Sequence, residues 1–525
     1  MRYLLLLHRY LAVAVGVLMT LWCLSGFVMM YQSFPELSPA QRLAGLQTLD
    51  LDSCCTLGDL QPHDDSPVGN FRIEMLLGEP VLRLASSAGT QEVIRLQSGS
   101  ALPELTQAQV LEVAAQYARG NGITGIPAAL GTTDGDQWTL LDARRNAPAW
   151  HVALNDPRGT QIYINGRTGE VFQQSNRRER VMSWFGAIPH WIYFSQLRMS
   201  PAVWTNVVIW TSVLGSFLAA TGLYIGISRV GWRQLQRSSA SSAALMSLSP
   251  YQGWWYWHHM AGLVFGVLTL TWVFSGLLTM NPWGWLSGSS PEIRRYQSDL
   301  GGITRWADLR QLLTALSNNE ASVTQQPGLV QLTPQPFLQQ AFFLGHSADS
   351  ATVRYDATGN SALLNSDQIR AGVSNLGVPL TSVELLFRED SYYYGHKRMV
   401  ELPVVRVLTA DADATRLYIN PQTGQVRAIG STGRLSRWVR TGLHDLDFSV
   451  IRNRPWWDLL VIVLLSGVTA VCITGTWMAL RRVRRDFCTG FRTAFRRSPS
   501  SRLHHKPHAN HNPRPHLKPE QGNRT

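Results

Sequence analysis

The hydrophobic and polar positions of the chain separate into four uncharged apolar stretches and the long polar segments between them. Each stretch is about twenty residues long, enough for a helix to cross roughly 30 Å of hydrocarbon. The first is longer than the ~7–15 apolar residues of a signal peptide, so we interpret it as an anchor. The pattern predicts four transmembrane helices. They lie within residues 1–31, 201–227, 258–280 and 458–480.

The two long polar segments, 32–200 and 281–457, are predicted to be α+β domains. In the first, Thr106 and Gln109 form a capping box that predicts a helix through Ala118. Loosely alternating runs at 138–141 and 150–154 follow it and predict hairpin strands. In the second, residues 305–316 predict another short helix.

Positive charge concentrates on one side of the predicted spans. The N-terminus, the loop at 228–257 and the tail at 481–525 together hold 17 basic and 2 acidic residues. The rest of the chain holds 30 basic and 33 acidic residues, although the whole chain has a net charge of +12. The positive-inside rule therefore predicts cytoplasmic termini and two outer domains, with no nucleic-acid partner. The Pro- and His-rich tail is predicted to be disordered and attracted to anionic membrane lipid.

The two halves of the chain resemble each other, which indicates a tandem duplication. Four landmarks of the first span recur 250 residues later in the third. The matched pairs are His8 and His258, Gly16 and Gly266, Trp22 and Trp272, and Ser25 and Ser275. The outer domains repeat Tyr-Ile-Asn-x-x-Thr-Gly-x-Val, starting at Tyr163 and Tyr418, and His190 recurs as His444.

Four of the fourteen histidines form two symmetric pairs at the borders of the spans. His8 and His258 begin spans one and three at the cytoplasmic face, and His190 and His444 precede spans two and four at the outer face. One such histidine is usually an amphipathic residue of the membrane interface. Two pairs suit haem iron, which takes an axial ligand from each side, within a four-helix bundle. We therefore predict two haem b groups, since no Cys-x-x-Cys-His attaches a c-type haem.

Two features near these histidines have alternative interpretations. His258 and His259 are adjacent, so only one can point into the bundle. The repeat favours His258 because it matches His8, and His259 is the alternate ligand. Gly16 and Gly266 lie about two turns away, where a small residue admits either a flat macrocycle or a closely packed helix.

In these motifs the chain resembles the PepSY-associated transmembrane family, whose members are also called iron-regulated membrane proteins. The resemblance covers most of residues 1–482 and rests on the motif His8-Arg9-Tyr10…Gly16…Trp22…Ser25-Gly26, its second copy and the two Tyr-Ile-Asn strands. It implies PepSY-type units at about 103–175 and 365–430. Residues 32–100 and 281–365 are additions to such units and have no assignment.

The resemblance also implies an activity. Family members studied as siderophore reductases of the bacterial inner membrane carry haem and reduce ferric siderophores in the periplasm. Their ligands would correspond here to four residues: His8, His190, His258 and His444. No Gly-x-Gly-x-x-Gly follows a strand, so electrons are expected from quinol or from a cytoplasmic reductase.

Two other functions stay open. A PepSY sensor or peptidase-regulating module on a membrane anchor would need no haem. A siderophore permease is the second alternative, although the spans carry none of the internal charges that substrate pathways usually show.

Two smaller motifs have several interpretations each. Cys54 and Cys55 are adjacent, and because a bond between neighbours is strained, metal contact, an intermolecular disulfide or free thiols are favoured. The aromatic and basic run at 391–398 predicts an ordinary hairpin edge, or else contact with an anionic siderophore or the membrane.

Overall fold

The computed structural model describes residues 1–51, 54–55, 57, 63–85, 91–140, 142–231, 248–288, 290–318, 322–395 and 400–496. Four helices are long and apolar enough to cross a membrane, which confirms the four predicted spans at this level. They are α1 (Arg2–Met29), α8 (Pro201–Ser228), α9 (Trp254–Thr279) and α14 (Trp456–Arg496).

The four spans pack as a ring in which each helix contacts two neighbours. Helices α1 and α9 each pack against α8 and α14. The centre of the bundle is apolar, with Val15, Met19, Leu218, Val468 and Cys472 buried in one cluster. In hydrocarbon every backbone polar group must be paired internally, and four helices meet this requirement while leaving their outer faces to lipid.

The remaining elements lie outside the bundle. The other helices are α2 (Pro39–Ala44), α3 (Gln107–Gly120), α4 (Ala143–Asn146), α5 (Arg177–Phe185), α6 (Ala187–Trp191), α7 (Ser195–Arg198), α10 (Pro291–Leu300), α11 (Trp306–Ser317), α12 (Ser366–Ser374) and α13 (Ser431–Ser436). The strands are β1 (Phe71–Leu76), β2 (Glu79–Ala85), β3 (Gln91–Arg95), β4 (Ala128–Thr133), β5 (Ala149–Ala153), β6 (Gln161–Asn165), β7 (Val171–Ser175), β8 (Leu329–Pro334), β9 (Phe342–Ser347), β10 (Thr352–Asp356), β11 (Leu380–Leu386), β12 (Val404–Thr409), β13 (Arg416–Ile419) and β14 (Val426–Ile429).

Two four-stranded antiparallel sheets have the same construction. One has the order β4-β5-β6-β7 after helix α3, and the other has the order β11-β12-β13-β14 after helix α12. Helix α3 begins at the predicted capping box of Thr106 and Gln109. The repeated Thr-Gly is the turn before each last strand, where Gly169 and Gly424 adopt positive φ values of 67° and 76°. These turns favour glycine because it carries no Cβ.

A six-stranded antiparallel sheet joins the two segments that the sequence left unassigned. Its order is β10-β9-β8-β1-β2-β3, so strands from 32–100 and from 281–365 form one sheet. The junction pairs β1 with β8, aligning Ile73 with Leu332 and Glu74 with Gln331. Helix α11 packs on this sheet through a shared apolar core. The two outer regions are therefore not separate domains, contrary to the predicted division.

The predicted strand at 138–141 is wrong. Residues 137–140 form a turn, and Leu141 lies outside the described residues. The Oδ1 atom of Asp136 accepts hydrogen bonds from the backbone N–H of Trp138 at 2.9 Å and of Thr139 at 3.0 Å. This local capping by an aspartate stabilises a turn, which outweighs the strand preference of the run that follows.

The predicted start of the disordered tail is also wrong. Helix α14 continues through 481–496, which had been assigned to the tail. Arginine-rich sequence is compatible with a helix, and Arg482 pairs with Asp486 one turn later at 2.9 Å. The predicted disorder of 497–525, including its five histidines, falls outside the part of the chain that the structure describes.

Cys54 and Cys55 form a disulfide with each other, the pairing that the sequence analysis disfavoured. Both side chains pack against the apolar core of the six-stranded sheet. The disulfide therefore lies beside this core, and neither cysteine is a free thiol.

Candidate functional site

His190 and His444 face each other at the outer end of the bundle. His190 lies in α6, and His444 follows a π-helix at Arg437–Gly442. Their ring centroids are 6.3 Å apart, and the ring planes are inclined by 54°. Two segments that are more than 250 residues apart in the chain thus bring their imidazoles together, as the repeat predicted.

The ring of His190 is held by the backbone of the first span. Its Nδ1 atom lies 3.2 Å from the carbonyl oxygen of Trp22 and 3.1 Å from Oγ of Ser25. A carbonyl oxygen only accepts, so Nδ1 carries the proton and Nε2 keeps its lone pair in the neutral ring. This hydrogen bond is the usual device that orients a metal-binding histidine.

His444 is held in the same way by the third span. Its Nδ1 atom lies 3.3 Å from the carbonyl oxygen of Trp272 and 3.3 Å from Oγ of Ser275. Within the described residues, no hydrogen bond involves Nε2 of His190 or of His444. The two lone pairs are therefore available for a ligand between the rings.

His8 and His258 line one cavity of about 280 Å³ between the four spans. Nδ1 of His8 lies 3.1 Å from the carbonyl oxygen of Leu218 and 3.2 Å from Oγ1 of Thr221. Nδ1 of His258 lies 3.0 Å from Oγ1 of Thr474. That hydroxyl already donates to a backbone carbonyl, so it accepts from the imidazole. Both rings thus have the tautomer of the outer pair, with Nε2 as the unprotonated nitrogen.

His259 has the opposite tautomer and no available lone pair. Its Nε2 atom donates to the carbonyl oxygen of Gly226 at 2.9 Å, and Nδ1 lies 2.8 Å from Oγ of Ser249. The ring is buried and bridges span three to span two and to the loop before it. The geometry therefore favours His258 over His259 as a ligand, as does the repeat.

Glycines give the inner histidines room against the opposite helices. A Cβ on Gly222 would lie 2.7 Å from Cε1 of His8, and a Cβ on Gly475 would lie 3.0 Å from Cε1 of His258. Gly16 and Gly266, the glycines that the sequence analysis selected, also line the cavity but contact Thr476 and Leu223. These contacts show close helix packing at both glycines, and approach of a flat macrocycle stays a prediction.

A repeated dipeptide in the sequence marks the contacts of the inner pair. Thr221-Gly222 in span two and Thr474-Gly475 in span four are the same dipeptide, 253 residues apart. In each copy the threonine accepts from a histidine and the glycine lies against that histidine's ring. The repeat thus includes the surroundings of the inner histidines as well as the histidines themselves.

One rim of the inner cavity is basic. Arg9, Arg482 and Arg485 line it, and Arg482 also pairs with Asp486. Elsewhere the lining is mainly glycine and apolar side chains. The cavity therefore suits a flat apolar group that carries acidic substituents at one edge.

Among the residues that the structure describes, no three or more His, Cys, Asp or Glu side chains come together as a metal-binding group. Each histidine pair therefore supplies only two nitrogen ligands to a metal between the rings.

No protein-family model matches the chain, and no curated protein sequence matches it. The family resemblance therefore rests on the motifs alone and stays a prediction.

Proposed function

We propose that the chain is an electron-transfer protein of the bacterial inner membrane. It would hold two haem b groups, reduce ferric siderophores or other ferric chelates at the periplasmic face, and release Fe(II). The observation that carries the proposal is the arrangement of two histidine pairs whose Nδ1 atoms are all anchored to oxygen acceptors. Because no hydrogen bond within the described residues uses Nε2 of these four rings, each pair offers two nitrogen donors, the number of protein ligands that a b-type haem takes.

The spacing of the outer pair fits this ligand. Metal–imidazole bonds are about 2 Å long, and the centre of each ring lies about 1 Å beyond its nitrogen, so a bis-imidazole iron needs centroids about 6 Å apart. His190 and His444 have centroids 6.3 Å apart. The tilt of 54° between the rings is compatible with axial ligation because the two imidazoles can rotate independently about the axis.

The inner cavity fits the rest of the cofactor. His8 and His258 would supply two nitrogen ligands to an iron, and the described residues offer no group of three or more, so its other donors would belong to the cofactor, as they do in a porphyrin. The apolar, glycine-rich lining suits the macrocycle, and the guanidinium groups of Arg9, Arg482 and Arg485 suit its two carboxylates. When bound, haem supplies a one-electron carrier.

The residues of the chain would perform four tasks for this carrier. The histidines bind the iron, and the threonine, serine and backbone oxygens at Nδ1 fix the orientation and basicity of the rings. Gly222 and Gly475 admit the rings of the inner pair, and the apolar bundle excludes water between the two sites. A group near each membrane face would let one electron cross to a ferric chelate outside.

The finer topology belongs to the same proposal. We take the chain to be a tandem duplication with two PepSY-type outer units, both termini in the cytoplasm. The distribution of charge supports this orientation, and the equal construction of the two four-stranded sheets supports the duplication. The electron donor would be quinol or a cytoplasmic reductase.

The direct test is a visible absorption spectrum, followed by an assay of ferric chelate reduction. Protein purified in detergent from haem-replete cells is expected to show sharp low-spin b-type bands after dithionite, at about two haems per chain. Adding a ferric chelate without oxygen should reoxidise these bands and release Fe(II), which a ferrous-specific dye reports. The matching Ga(III) chelate, which accepts no electron at these potentials, should leave the protein reduced. A colourless protein would contradict the proposal and favour the sensor alternative.

Gly222→Ala is expected to disturb the inner site selectively. Its Cβ would lie 2.7 Å from Cε1 of His8, closer than carbon atoms approach, so the ring must move. Haem content should fall from about two toward one per chain, or the inner haem should become high-spin. Gly226→Ala is the control on the same helix, since its Cβ would meet ordinary contacts at 3.6 Å or more. Equal spectra of the two variants would contradict the assignment of His8.

A further inference from the structure

A basic cavity opens beside His444 at the outer end of the bundle. It has a volume of about 470 Å³, and Thr279, at the end of α9, forms one wall. Thr441 and Asp445, which lie three residues before and one residue after His444, form another. The ring of His444 itself lies against Gly276, one turn before Thr279. The cavity is therefore adjacent to the outer histidine pair.

Three arginines give the cavity its charge. Arg427, Arg437 and Arg440 line it, together with the single acid Asp445. Arg437 also lies 3.6 Å from the buried carboxylate of Asp447. Even with both acids counted, three guanidinium groups face two carboxylates. The cavity therefore has an excess of positive charge.

Two of these arginines are held in place by the protein. Arg440 donates through Nη2 to the carbonyl oxygen of Thr279 at 2.9 Å. The side chain of Arg437 is 10% exposed, and it donates through Nε to the carbonyl oxygen of Ser391 at 3.0 Å. Its Nη1 atom is buried and makes no hydrogen bond within the described part of the chain. The two guanidinium groups are therefore held at the cavity wall before any ligand binds.

The aromatic run of the sequence forms part of this site. Tyr394 lines the cavity, and its ring lies 4.6 Å from the guanidinium carbon of Arg437 and 5.1 Å from that of Arg452. The run lies in a loop after β11 and does not form the predicted hairpin edge, while residues 396–398 lie outside the described residues. Tyr394 thus makes a cation–π contact with Arg437, one of the three cavity arginines, and forms an aromatic wall.

The first half of the chain lacks this basic site. By the offsets of the repeat, Arg427, Arg437 and Arg440 correspond to Phe172, Ser183 and Gly186. The fold of the unit therefore does not require arginine at these positions. A set of charges in only one half, next to one histidine, is better explained by a ligand than by the architecture.

We infer that this cavity binds ferric chelates of net negative charge, such as catecholate or carboxylate complexes, in preference to cationic hydroxamate complexes. The inference rests on the proposed function and adds its substrate class. Arginine forks pair with anionic oxygens, and the excess positive charge repels a cationic complex. A chelate bound here lies beside His444, where it would receive its electron.

Binding can be tested apart from electron transfer by using Ga(III) chelates. The probes are a Ga(III) tris-catecholate of charge −3 and a Ga(III) tris-hydroxamate whose ligand carries one pendant ammonium group, which gives it a charge of +1. Each is titrated calorimetrically into the full-length protein in detergent. The wild type is expected to bind the trianion at least about tenfold more tightly than the cation. The double variant R427Q/R440Q should lose at least about tenfold for the trianion. R370Q, which removes an exposed arginine of α12 on the same outer unit, should stay within about twofold.

Three outcomes would overturn the inference. The first is binding that does not depend on charge. It would be seen as equal affinity of the wild type for the two Ga(III) chelates, or as unchanged binding of the trianion by R427Q/R440Q. The second is loss of bound haem in R427Q/R440Q, which would assign the arginines to the cofactor's carboxylates. The third is competition by anionic but not zwitterionic lipid in nanodiscs, which would assign them to a headgroup. Haem content and ferric reduction, measured on the same samples, separate these results from failure of the proposed function. A colourless protein that still binds the trianion more tightly than the cation would refute the proposed electron transfer and leave the charge preference of the cavity intact.

Discussion

Single alanine variants of the four histidines are expected to remove one haem each, in two classes. His8→Ala and His258→Ala should abolish the cytoplasmic-side group and keep the outer one, whereas His190→Ala and His444→Ala should do the reverse. The reason is that each pair supplies both axial ligands of one site, and the sites use different helices for their anchoring oxygens. Haem per chain should fall from about two to about one, measured by pyridine haemochrome.

The two classes are distinguished by more than haem content. The haem that remains should have the same low-spin signals and potential in both members of a class, by electron paramagnetic resonance and redox titration. Glycine variants at the same positions leave a hole the size of the ring, so added imidazole should restore the missing bands. A variant that merely misfolds would not be rescued in this way.

His259→Ala is the matched control. His259 is buried on the same helix, next to His258, and its ring makes two hydrogen bonds. Losing them is expected to cost about 1–2 kcal/mol of stability but no haem. If His259→Ala loses the inner haem and His258→Ala keeps it, the alternate ligand is correct and the repeat alignment is misleading. If all four single variants keep both haems, the assignment of both pairs is wrong.

The spans could be predicted from sequence because the bilayer imposes one simple requirement. A helix of about twenty uncharged residues satisfies its own backbone, so length and apolarity are enough to find it. The prediction of helix ends was less accurate beyond the membrane, where a helix does not have to be apolar. Past residue 480 no uncharged run marks the helix, yet α14 continues to Arg496. The apolar residues of this segment recur every four positions, at Val483, Phe487, Phe491 and Phe495, which is a helical spacing that a search for uncharged runs does not detect.

The six-stranded sheet could not be predicted from either segment alone. Its central pairing joins Ile73 to Leu332, and neither strand carries a local signal for a partner so far along the chain. One edge of β1 pairs with β2, and the backbone groups of its other edge are paired only when β8 joins the sheet. A duplicated sequence shows which segments resemble each other, but it does not show whether they pair with each other or remain separate.

For the candidate site, the sequence selected the four histidines but gave little sign of their contacts. The offset of 250 selected His8 and His258 because both lie at fixed places in an obvious repeat. The anchoring carbonyl oxygens of Trp22 and Leu218 had no signal, since every residue has one. The basic cavity was missed for the opposite reason: Arg427, Arg437 and Arg440 are absent from the first half, so a search for repetition passes over them.

Glu74→Ala is expected to destabilise the outer region by about 3–5 kcal/mol, the largest stability effect that we predict for one side chain there. Glu74 is 1% exposed, lies at the junction of β1 with β8, and pairs with Arg42, Arg72 and Arg83. Arg83 is itself 3% exposed, so removing the carboxylate leaves a buried cation short of its partner. Thermal unfolding followed by circular dichroism in detergent measures the loss.

The effect should depend on pH in a direction that the pKa shifts determine. Burial alone would raise the pKa of Glu74, but the charges of Arg83, Arg42 and Arg72 outweigh it and lower the pKa. Burial would also raise the pKa of Glu170, but the hydrogen bond from Arg72 and the nearby arginine charges outweigh it and lower the pKa to about 2. A carboxylate with a lowered folded pKa contributes its full stability above its unfolded value of about 4.3 and loses it as the pH falls toward the folded value.

The wild type should therefore lose thermal stability between about pH 4.5 and pH 2, and the gap between wild type and Glu74→Ala should narrow over that range. Glu92→Ala, at an exposed position of β3 in the same sheet, is the control and should change stability by about 0.5 kcal/mol or less at any pH. A Glu74 variant as stable as the Glu92 variant at pH 7 would mean that the arginines find other partners. The junction of the two halves would then depend on apolar packing around Ile73 and Leu332, both fully buried, and not on the ion cluster.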